Sequence, residues 1–198
     1  MKKDVSLPLR EGATQLVFGE GNPDTDLYFL GEAPGYYEDK EGRPFVGLAG
    51  KLLDQLIQSI GYARSDVYIS NVVRFRPPAN RDPLPEEIDA FTPYVNSEIA
   101  IIGPKVIVTL GRFSMNKFLP EVRISGVHGK VFNVDFNGKE VTVIPMYHPA
   151  AALRSTQIMA AIKEDFQKIK SFLEGKNQMA DFFGEETKEE KKEASQLS

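Results

Sequence analysis

Short apolar runs alternate along this chain with longer segments whose apolar residues recur at helical spacing, and this alternation restricts the folds open to it. Strand-like runs occupy residues 26–30, 67–73 and 105–110, and helical patterns occupy residues 48–60, 85–102 and 155–173. Because helical segments separate the strand-like runs, the pattern predicts an α/β fold with a parallel or mixed sheet covered by helices on both faces.

A hairpin is predicted in the last third of the chain. Asn137-Gly138 stands between two strand-like segments, residues 131–136 and 140–146, and this dipeptide is typical of a two-residue hairpin turn. We therefore expect an antiparallel or edge pair of strands to extend the sheet. Just before it, the sequence GRFSMNKFL, residues 111–119, predicts a short helix.

Length and composition indicate one domain followed by a tail. With 198 residues and 41% hydrophobic content, the chain can bury a sizeable core. Residues 175–198 are charged and low in complexity, so we expect a disordered tail behind a domain of residues 1–174. No apolar stretch is long enough to span a membrane and the amino terminus lacks a signal-peptide core, which predicts a cytoplasmic protein.

The absence of cysteine excludes several classes of site. The chain contains no cysteine and two histidines. Disulfides, thiol catalysis and thiolate-held metal clusters are therefore excluded, and a histidine-rich zinc site is not expected. No dedicated carboxylate metal site is visible either, so we predict no metal.

Polar residues follow three predicted strands at the points where the strands end. Glu32 lies in the segment GEAPGYYEDKEGRPF, residues 31–45, Asn71 closes the next strand, and His148 follows the last one. The carboxyl ends of parallel strands meet at one edge of a sheet, where open α/β folds bind ligands. We therefore expect these residues to converge. Taken singly, Asn71 also fits a turn or capping residue, and His148 fits a loop histidine bonded to backbone.

The order of these motifs resembles the family 4 uracil-DNA glycosylases. The resemblance rests on GEAPG followed by GRPFVG, on VYISNVVRFRPPANRDP and on HPAAALR, and it extends from residue 17 to residue 154. It implies a three-layer αβα sandwich around a central, mostly parallel sheet. It also implies a monofunctional, monomeric enzyme that hydrolyses the N-glycosidic bond of deoxyuridine in DNA, in the first step of base excision repair.

The resemblance assigns base recognition and catalysis to particular positions. A glycosylase must extrude the nucleotide, hold the base and stabilise a departing base anion. Phe45 is expected to stack on the flipped uracil, and Asn71 to pair with its O4 and N3–H edge. His148 is expected to donate a hydrogen bond to uracil O2, where negative charge grows as the bond breaks.

Three further residues of the first motif are expected at the sugar and at C5 of the base. Glu32 and the backbone around Ala33 are predicted to hold the attacking water and to stabilise positive charge on the sugar. Whether the Glu32 carboxylate or main-chain oxygens dominate stays open. Glu38 is expected to crowd C5 of the base and so to exclude the methyl group of thymine.

Four arginines are candidates for contact with the phosphate backbone of DNA. They are Arg74, Arg76 and Arg81, in the run RFRPPANR, and Arg154, after the last motif. Although the net charge of the chain is −4, a local basic stripe can bind phosphates. The alternative is a solvated loop stiffened by prolines.

Members of the resembled family commonly hold a four-cysteine iron–sulfur cluster, and this chain departs from them. Alignment of the flanking motifs places Asp4, Leu7, Phe75 and Phe91 at the four cysteine positions. We therefore predict no cofactor, with a hydrophobic cluster of Leu7, Phe75 and Phe91 in place of the metal.

The tail carries one further motif. Residues 176–183, KNQMADFF, resemble a sliding-clamp binding peptide in which Met179, Phe182 and Phe183 fill an apolar pocket. The alternative is the end of the last helix, packing two phenylalanines on the domain.

Two other functions remain open at this point. One is a glycosylase for another deaminated base, such as hypoxanthine or xanthine, because pocket specificity can change with one or two residues. The other is a non-catalytic DNA-binding module of the same fold.

Overall fold

The central feature of the computed structural model, which describes residues 1–175, is a six-stranded sheet with strand order β1-β3-β2-β4-β6-β5. The strands are β1 (Glu20–Gly21), β2 (Leu27–Gly31), β3 (Tyr68–Asn71), β4 (Val106–Leu110), β5 (Phe132–Phe136) and β6 (Lys139–Met146). The four inner strands are parallel, while β1 and β5 pair antiparallel at the two edges. The predicted mostly parallel sheet is confirmed.

Seven α-helices accompany these strands within the described residues, and the last two follow β6. They are α1 (Tyr36–Glu41), α2 (Leu48–Ser59), α3 (Pro85–Ile102), α4 (Arg112–Asn116), α5 (Ile124–Val127), α6 (Pro149–Ala152) and α7 (Thr156–Leu173). The three long ones and α4 lie where the sequence predicted them. The helices α1, α5 and α6 were not predicted, because four to six residues are too few to show a helical period.

Two apolar clusters, one on each face of the sheet, make the three layers. Phe29 on β2 faces α2 and α7, and its ring stacks on Phe166 of α7 with centroids 6.0 Å apart. Its neighbours Tyr28 and Leu30 point to the opposite face, against Phe91 of α3. Successive side chains of a strand alternate between faces, so both faces of this strand are buried. The αβα sandwich is confirmed.

The predicted hairpin joins β5 and β6. Phe136 pairs with Lys139, and Asn137 and Gly138 adopt φ angles of 57° and 78°. Two consecutive residues with positive φ are what a type I′ turn requires, and Asn-Gly is its preferred sequence.

Arg74 lies in the interior between the sheet and α3. Its guanidinium is 0% exposed and forms an ion pair with Glu98 of α3 at 2.8 Å. Glu98 also accepts a hydrogen bond from the Tyr28 hydroxyl at 2.6 Å. The prediction that Arg74 contacts DNA phosphates is therefore wrong, since its charge is neutralised by a buried carboxylate.

The four positions that would carry cluster cysteines meet where the amino-terminal segment packs on α3, a region we call the N-terminal corner. Leu7, Phe75 and Phe91 are buried in one apolar cluster, and the two phenylalanine rings lie 6.1 Å apart at 62°. Asp4 accepts a hydrogen bond from the Tyr94 hydroxyl at 2.5 Å. Three hydrocarbon side chains and one carboxylate do not fit an iron–sulfur cluster, which requires thiolate ligands.

Among residues 1–175, the structure contains no helix with the length and hydropathy of a membrane span. The candidate clamp-binding residues Met179, Phe182 and Phe183 lie outside the described residues.

Candidate active site

A small cavity opens at the carboxyl ends of the inner strands. Its volume is about 90 Å³, and it is lined by Ala33, Glu38, Phe45, Ala49, Asn71 and His148. Five of these six residues were predicted from the sequence, and Ala49 was not. Glu32 directly follows β2 at the same edge but is not among the lining residues. The parallel pairing of β2 with β3, which sets Gly31 opposite Asn71, brings two of the three motifs together.

Phe45 is held in a strained backbone conformation. Its φ of 50° is uncommon for an aromatic residue and has to be maintained by the surroundings. The ring stacks on the His148 imidazole, with centroids 5.6 Å apart and an interplanar angle of 26°. Glycine is required at two neighbouring positions: a Cβ on Gly31 would lie 2.5 Å from the ring, and one on Gly50 would lie 1.9 Å from the Phe45 carbonyl oxygen.

Arg64 fixes the segment that carries Phe45, and sequence reasoning missed it. Its guanidinium donates to the carbonyl oxygens of Pro44 and Phe45, at 2.5 and 3.2 Å. The same guanidinium pairs with Glu20 of β1 at 2.8 Å and with Asp54 of α2 at 2.7 Å. No local pattern could have revealed this role, because all four partners are distant in sequence.

Glu38 joins the two turns on either side of the cavity. One carboxylate oxygen accepts from the amides of Val46 and Gly47, at 3.0 and 3.1 Å. The other accepts from the amide of Gly35 at 3.1 Å. The carboxylate therefore holds the start of α1 against the start of α2. Whether it also excludes the thymine methyl group stays a prediction.

Asn71 presents an unpaired acceptor at the cavity. The residue is 2% exposed, and its Oδ1 has no hydrogen-bond partner within residues 1–175. A Cβ on Gly31 would lie 2.4 Å from that oxygen, so glycine keeps the approach open. A buried carbonyl without a donor is costly, and such an exception calls for a functional explanation. A ligand N–H would satisfy it.

His148 is neutral with its proton on Nε2. It caps the amino terminus of α6, where its Nδ1 accepts from the Ala150 amide at 3.1 Å. Burial lowers the pKa of His148 to about 4, although the nearby Glu38 carboxylate opposes the change. Since Nδ1 is an acceptor, Nε2–H is the donor left for a ligand.

Glu32 has a carboxyl group whose pKa lies near neutrality. Burial, followed by the negative charge of Asp82, raises the pKa of Glu32 to about 7, and Arg112 partly opposes this. Arg112 is itself ion-paired with Asp82. A carboxyl that titrates near neutrality can accept a proton from water at working pH.

The three remaining candidate phosphate ligands differ in their availability. The Arg154 side chain is exposed and has no ion-pair partner in the described part of the chain. The Nε of Arg76 donates to Asn80 at 2.6 Å, and the residue keeps part of its surface exposed. Arg81 makes a bidentate pair with Glu87 of α3, at 2.6 and 2.8 Å, which leaves it less free to contact phosphate.

Proteins of known family resemble this chain over most of its length. The family model of the uracil DNA glycosylase superfamily matches residues 18–174. A type-4 uracil-DNA glycosylase of Archaeoglobus fulgidus is 48% identical over 166 residues, covering 81% of this chain and 83% of the relative. Those of Sulfurisphaera tokodaii and Thermotoga maritima are 47% and 44% identical, covering 85% and 87% of this chain and 84% and 91% of the relatives.

Proposed function

This chain belongs to the uracil-DNA glycosylase superfamily, and we propose that it hydrolyses the N-glycosidic bond of deoxyuridine in DNA, releasing uracil and leaving an abasic site. The observation that carries this proposal is a cavity lined by both Asn71, whose Oδ1 has no hydrogen-bond partner among residues 1–175, and His148, whose neutral imidazole offers a donor. Relatives named type-4 uracil-DNA glycosylase support it. The reaction begins base excision repair.

Asn71 distinguishes uracil from cytosine. Uracil carries N3–H beside O4, so the amide Oδ1 accepts from N3–H while Nδ2–H donates to O4. Cytosine presents a bare N3 beside an exocyclic amine, which would leave the buried amide oxygen unpaired. A site built on such a hydrogen bond rejects the mismatched base strongly.

The walls of the cavity hold the flipped base. Phe45 provides an apolar face against which the pyrimidine stacks, and its strained backbone is fixed before the substrate arrives. In this proposal Glu38, which three backbone amides anchor, crowds C5 and rejects the methyl group of thymine.

Bond cleavage uses water and no covalent enzyme intermediate. As the C1′–N1 bond breaks, its electron pair moves into the uracil ring, and His148 Nε2–H donates to the O2 that gains negative charge. A water oxygen bonds to C1′, and its proton passes to the Glu32 carboxylate, with the Ala33 backbone helping to position the water. A neutral histidine serves here because it is a donor in its resting form.

We also propose that the reaction proceeds without an iron–sulfur cofactor. The chain has no cysteine, and the corresponding positions in the N-terminal corner hold Asp4, Leu7, Phe75 and Phe91. In this proposal the apolar corner replaces the metal as the link between the amino-terminal segment and α3.

Arg76, Arg81 and Arg154 are proposed to contact backbone phosphates, with Arg154 contributing most because it has no ion-pair partner among residues 1–175. Such contacts release counterions and make DNA affinity fall with salt. Replacing Arg154 by Ala should lower the slope of log affinity against log salt by about one. An unchanged slope would remove Arg154 from the interface.

One assay separates the three candidate functions. The protein is incubated with oligonucleotides that carry uracil, hypoxanthine or xanthine, single-stranded and mispaired, and abasic sites are then cleaved with alkali. Cleavage at uracil alone supports the proposal, and preference for a purine favours the second glycosylase. Binding without any cleavage would identify a non-catalytic module.

For the tail, we propose that Met179, Phe182 and Phe183 bind a sliding clamp, and that the protein works as a cytoplasmic monomer on DNA. Clamp pull-down with the full chain, with residues 175–198 removed and with Phe182→Ala tests the contact. Equal capture of all three forms would contradict it.

A further inference from the structure

Several exposed apolar side chains belong to segments that line the cavity. The large hydrophobic residues with high exposure are Val5, Phe18, Tyr36, Tyr37, Leu48, Leu84, Ile101 and Leu153. Four of these eight belong to segments that also line the cavity: Tyr36 and Tyr37 precede Glu38, Leu48 precedes Ala49, and Leu153 follows the helix capped by His148. Exposed apolar side chains that adjoin a site indicate an interaction surface.

Tyr36 and Tyr37 form a pair of rings on this surface. They are 50% and 59% exposed, and the rings meet edge to face with centroids 5.3 Å apart. Tyr37 also reaches the turn at the start of α2, because a Cβ on Gly47 would lie 3.6 Å from its ring. Gly47 donates to Glu38, which lines the cavity, so the tyrosines adjoin the wall that would hold the base.

Arg76 adds positive charge to the same surface. Its guanidinium lies over the Tyr36 ring, 5.1 Å from the centroid. It comes from the loop after β3, the strand that ends at Asn71. Aromatic faces interleaved with a cation are the combination that binds single-stranded nucleic acid, in which bases stack on rings and phosphates pair with the charge.

We propose that Tyr36, Tyr37 and Arg76, which we call the aromatic rim, bind unpaired bases next to the flipped uracil and the phosphate that joins them. This inference rests on the proposed function, since it takes the cavity as the uracil site. A base can stack on an exposed tyrosine only when it has left its neighbours. The rim therefore favours uracil in single-stranded or locally opened DNA over uracil in a closed duplex.

The test measures binding separately from cleavage. The probe is a fluorescein-labelled single strand carrying 2′-fluoro-deoxyuridine, whose glycosidic bond resists hydrolysis, and its affinity is followed by anisotropy. Replacing Tyr36 and Tyr37 together by Ala should weaken binding about tenfold or more, the usual effect of losing one base stack. The double Phe variant, which keeps both rings, should bind within about threefold of the parent. Ile101→Ala is the matched control. Ile101 is 83% exposed near the carboxyl end of α3, which leads to the amino end of β4, whereas the cavity lies at the carboxyl ends of the strands.

A second readout reports stacking directly. With 2-aminopurine next to the uracil analogue, the parent complex should quench its fluorescence more than the double Ala variant does. The affinity of the parent for single strand relative to duplex should also fall in that variant. Unchanged affinity and unchanged quenching in the Ala variant would overturn the proposal, as would equal losses in the Ala and Phe variants.

Failure of the rim can be told from failure of the enzyme. The parent is assayed in parallel for uracil release from the same strand with ordinary deoxyuridine. Release together with rim variants that bind normally would overturn the rim alone. No release by the parent would overturn the proposed function, and with it the assignment of the stacked bases to the uracil's neighbours.

Discussion

The cavity and the N-terminal corner differ in how well their groups are paired and packed. At the cavity, Phe45 has a φ of 50°, Asn71 Oδ1 has no partner within the described residues, and burial moves the pKa of His148 to about 4. At the corner, apolar side chains pack together, and hydrogen bonds from Ser6 and Tyr94 lower the pKa of Asp4 to about 2.

The difference indicates that the corner contributes mainly to stability and the cavity mainly to function. Unpaired and strained groups cost folding free energy and persist only where the rest of the structure holds them in place. The corner supplies part of that stability through burial of hydrocarbon. We therefore expect substitutions in the two regions to have separable effects.

The largest expected effect is on stability, at the corner. Phe91 is fully buried, so Phe91→Ala should lower the free energy of unfolding by about 3–5 kcal/mol. Uracil affinity at a temperature where the variant is folded should change little. Urea titration and thermal melting measure the first quantity, with Ile101→Ala as an exposed control. Phe75→Ala should behave similarly, and unchanged melting of both variants would contradict the packed corner.

The next effect is on catalysis, at the cavity. His148→Ala removes the donor to uracil O2 and should lower kcat by about 10²–10³. Because His148 also caps α6, the variant should lose up to about 2 kcal/mol of stability. His128→Ala is the control, since His128 is the other histidine of the chain, pairs with Asp165 and is not among the residues that line the cavity. Single-turnover uracil release decides the comparison, and similar rates for both variants would count against the role of His148.

Arg64 connects the two kinds of effect, because it holds the segment that carries Phe45 but does not itself line the cavity. Arg64→Gln frees the carbonyls of Pro44 and Phe45 and should raise KM by about tenfold, with a stability loss of about 1–3 kcal/mol. Arg43→Gln is the control, because within residues 1–175 the ion pair of Arg43 is with Glu20 and its side chain is more exposed than that of Arg64. A KM unchanged from the parent would show that Phe45 keeps its position without the hydrogen bonds from Arg64.

The smallest expected effect is a pH dependence from Glu32. Because the pKa of Glu32 is raised to about 7, the carboxylate that accepts the proton from water is lost below neutrality, and kcat should fall as pH drops from 8 to 6. The sign for stability is opposite: the raised pKa favours the folded state below the ordinary carboxyl pKa, and this contribution disappears as pH rises through 7. Glu32→Gln should flatten both profiles.

Much of the fold could be predicted because it rests on periodicity. The long helices and inner strands were found from apolar spacing, and the parallel ends of the strands explain why Asn71 and His148 meet. The turn chemistry of Asn137-Gly138 was equally direct. These features are local in sequence or follow from sheet geometry.

The rest depended on partners far apart in the chain. Arg74 resembled a surface arginine in a basic run, and its burial follows from Glu98, an acidic residue on the apolar face of α3. The Arg64 guanidinium joins its own short turn to three other segments, namely β1, α2 and the turn at Pro44 and Phe45. Neither contact leaves a periodic signal.

The most direct test of this division measures two quantities on two variants. In Asn71→Ala and Phe91→Ala, the free energy of unfolding and kcat/KM for uracil release are determined at one temperature. We predict that Asn71→Ala loses at least about 10²-fold in kcat/KM with stability unchanged or raised. Phe91→Ala should lose stability by about 3–5 kcal/mol while its kcat/KM in the folded state changes little. A large stability loss in Asn71→Ala, or an equal loss of kcat/KM in the folded Phe91→Ala variant, would contradict the account.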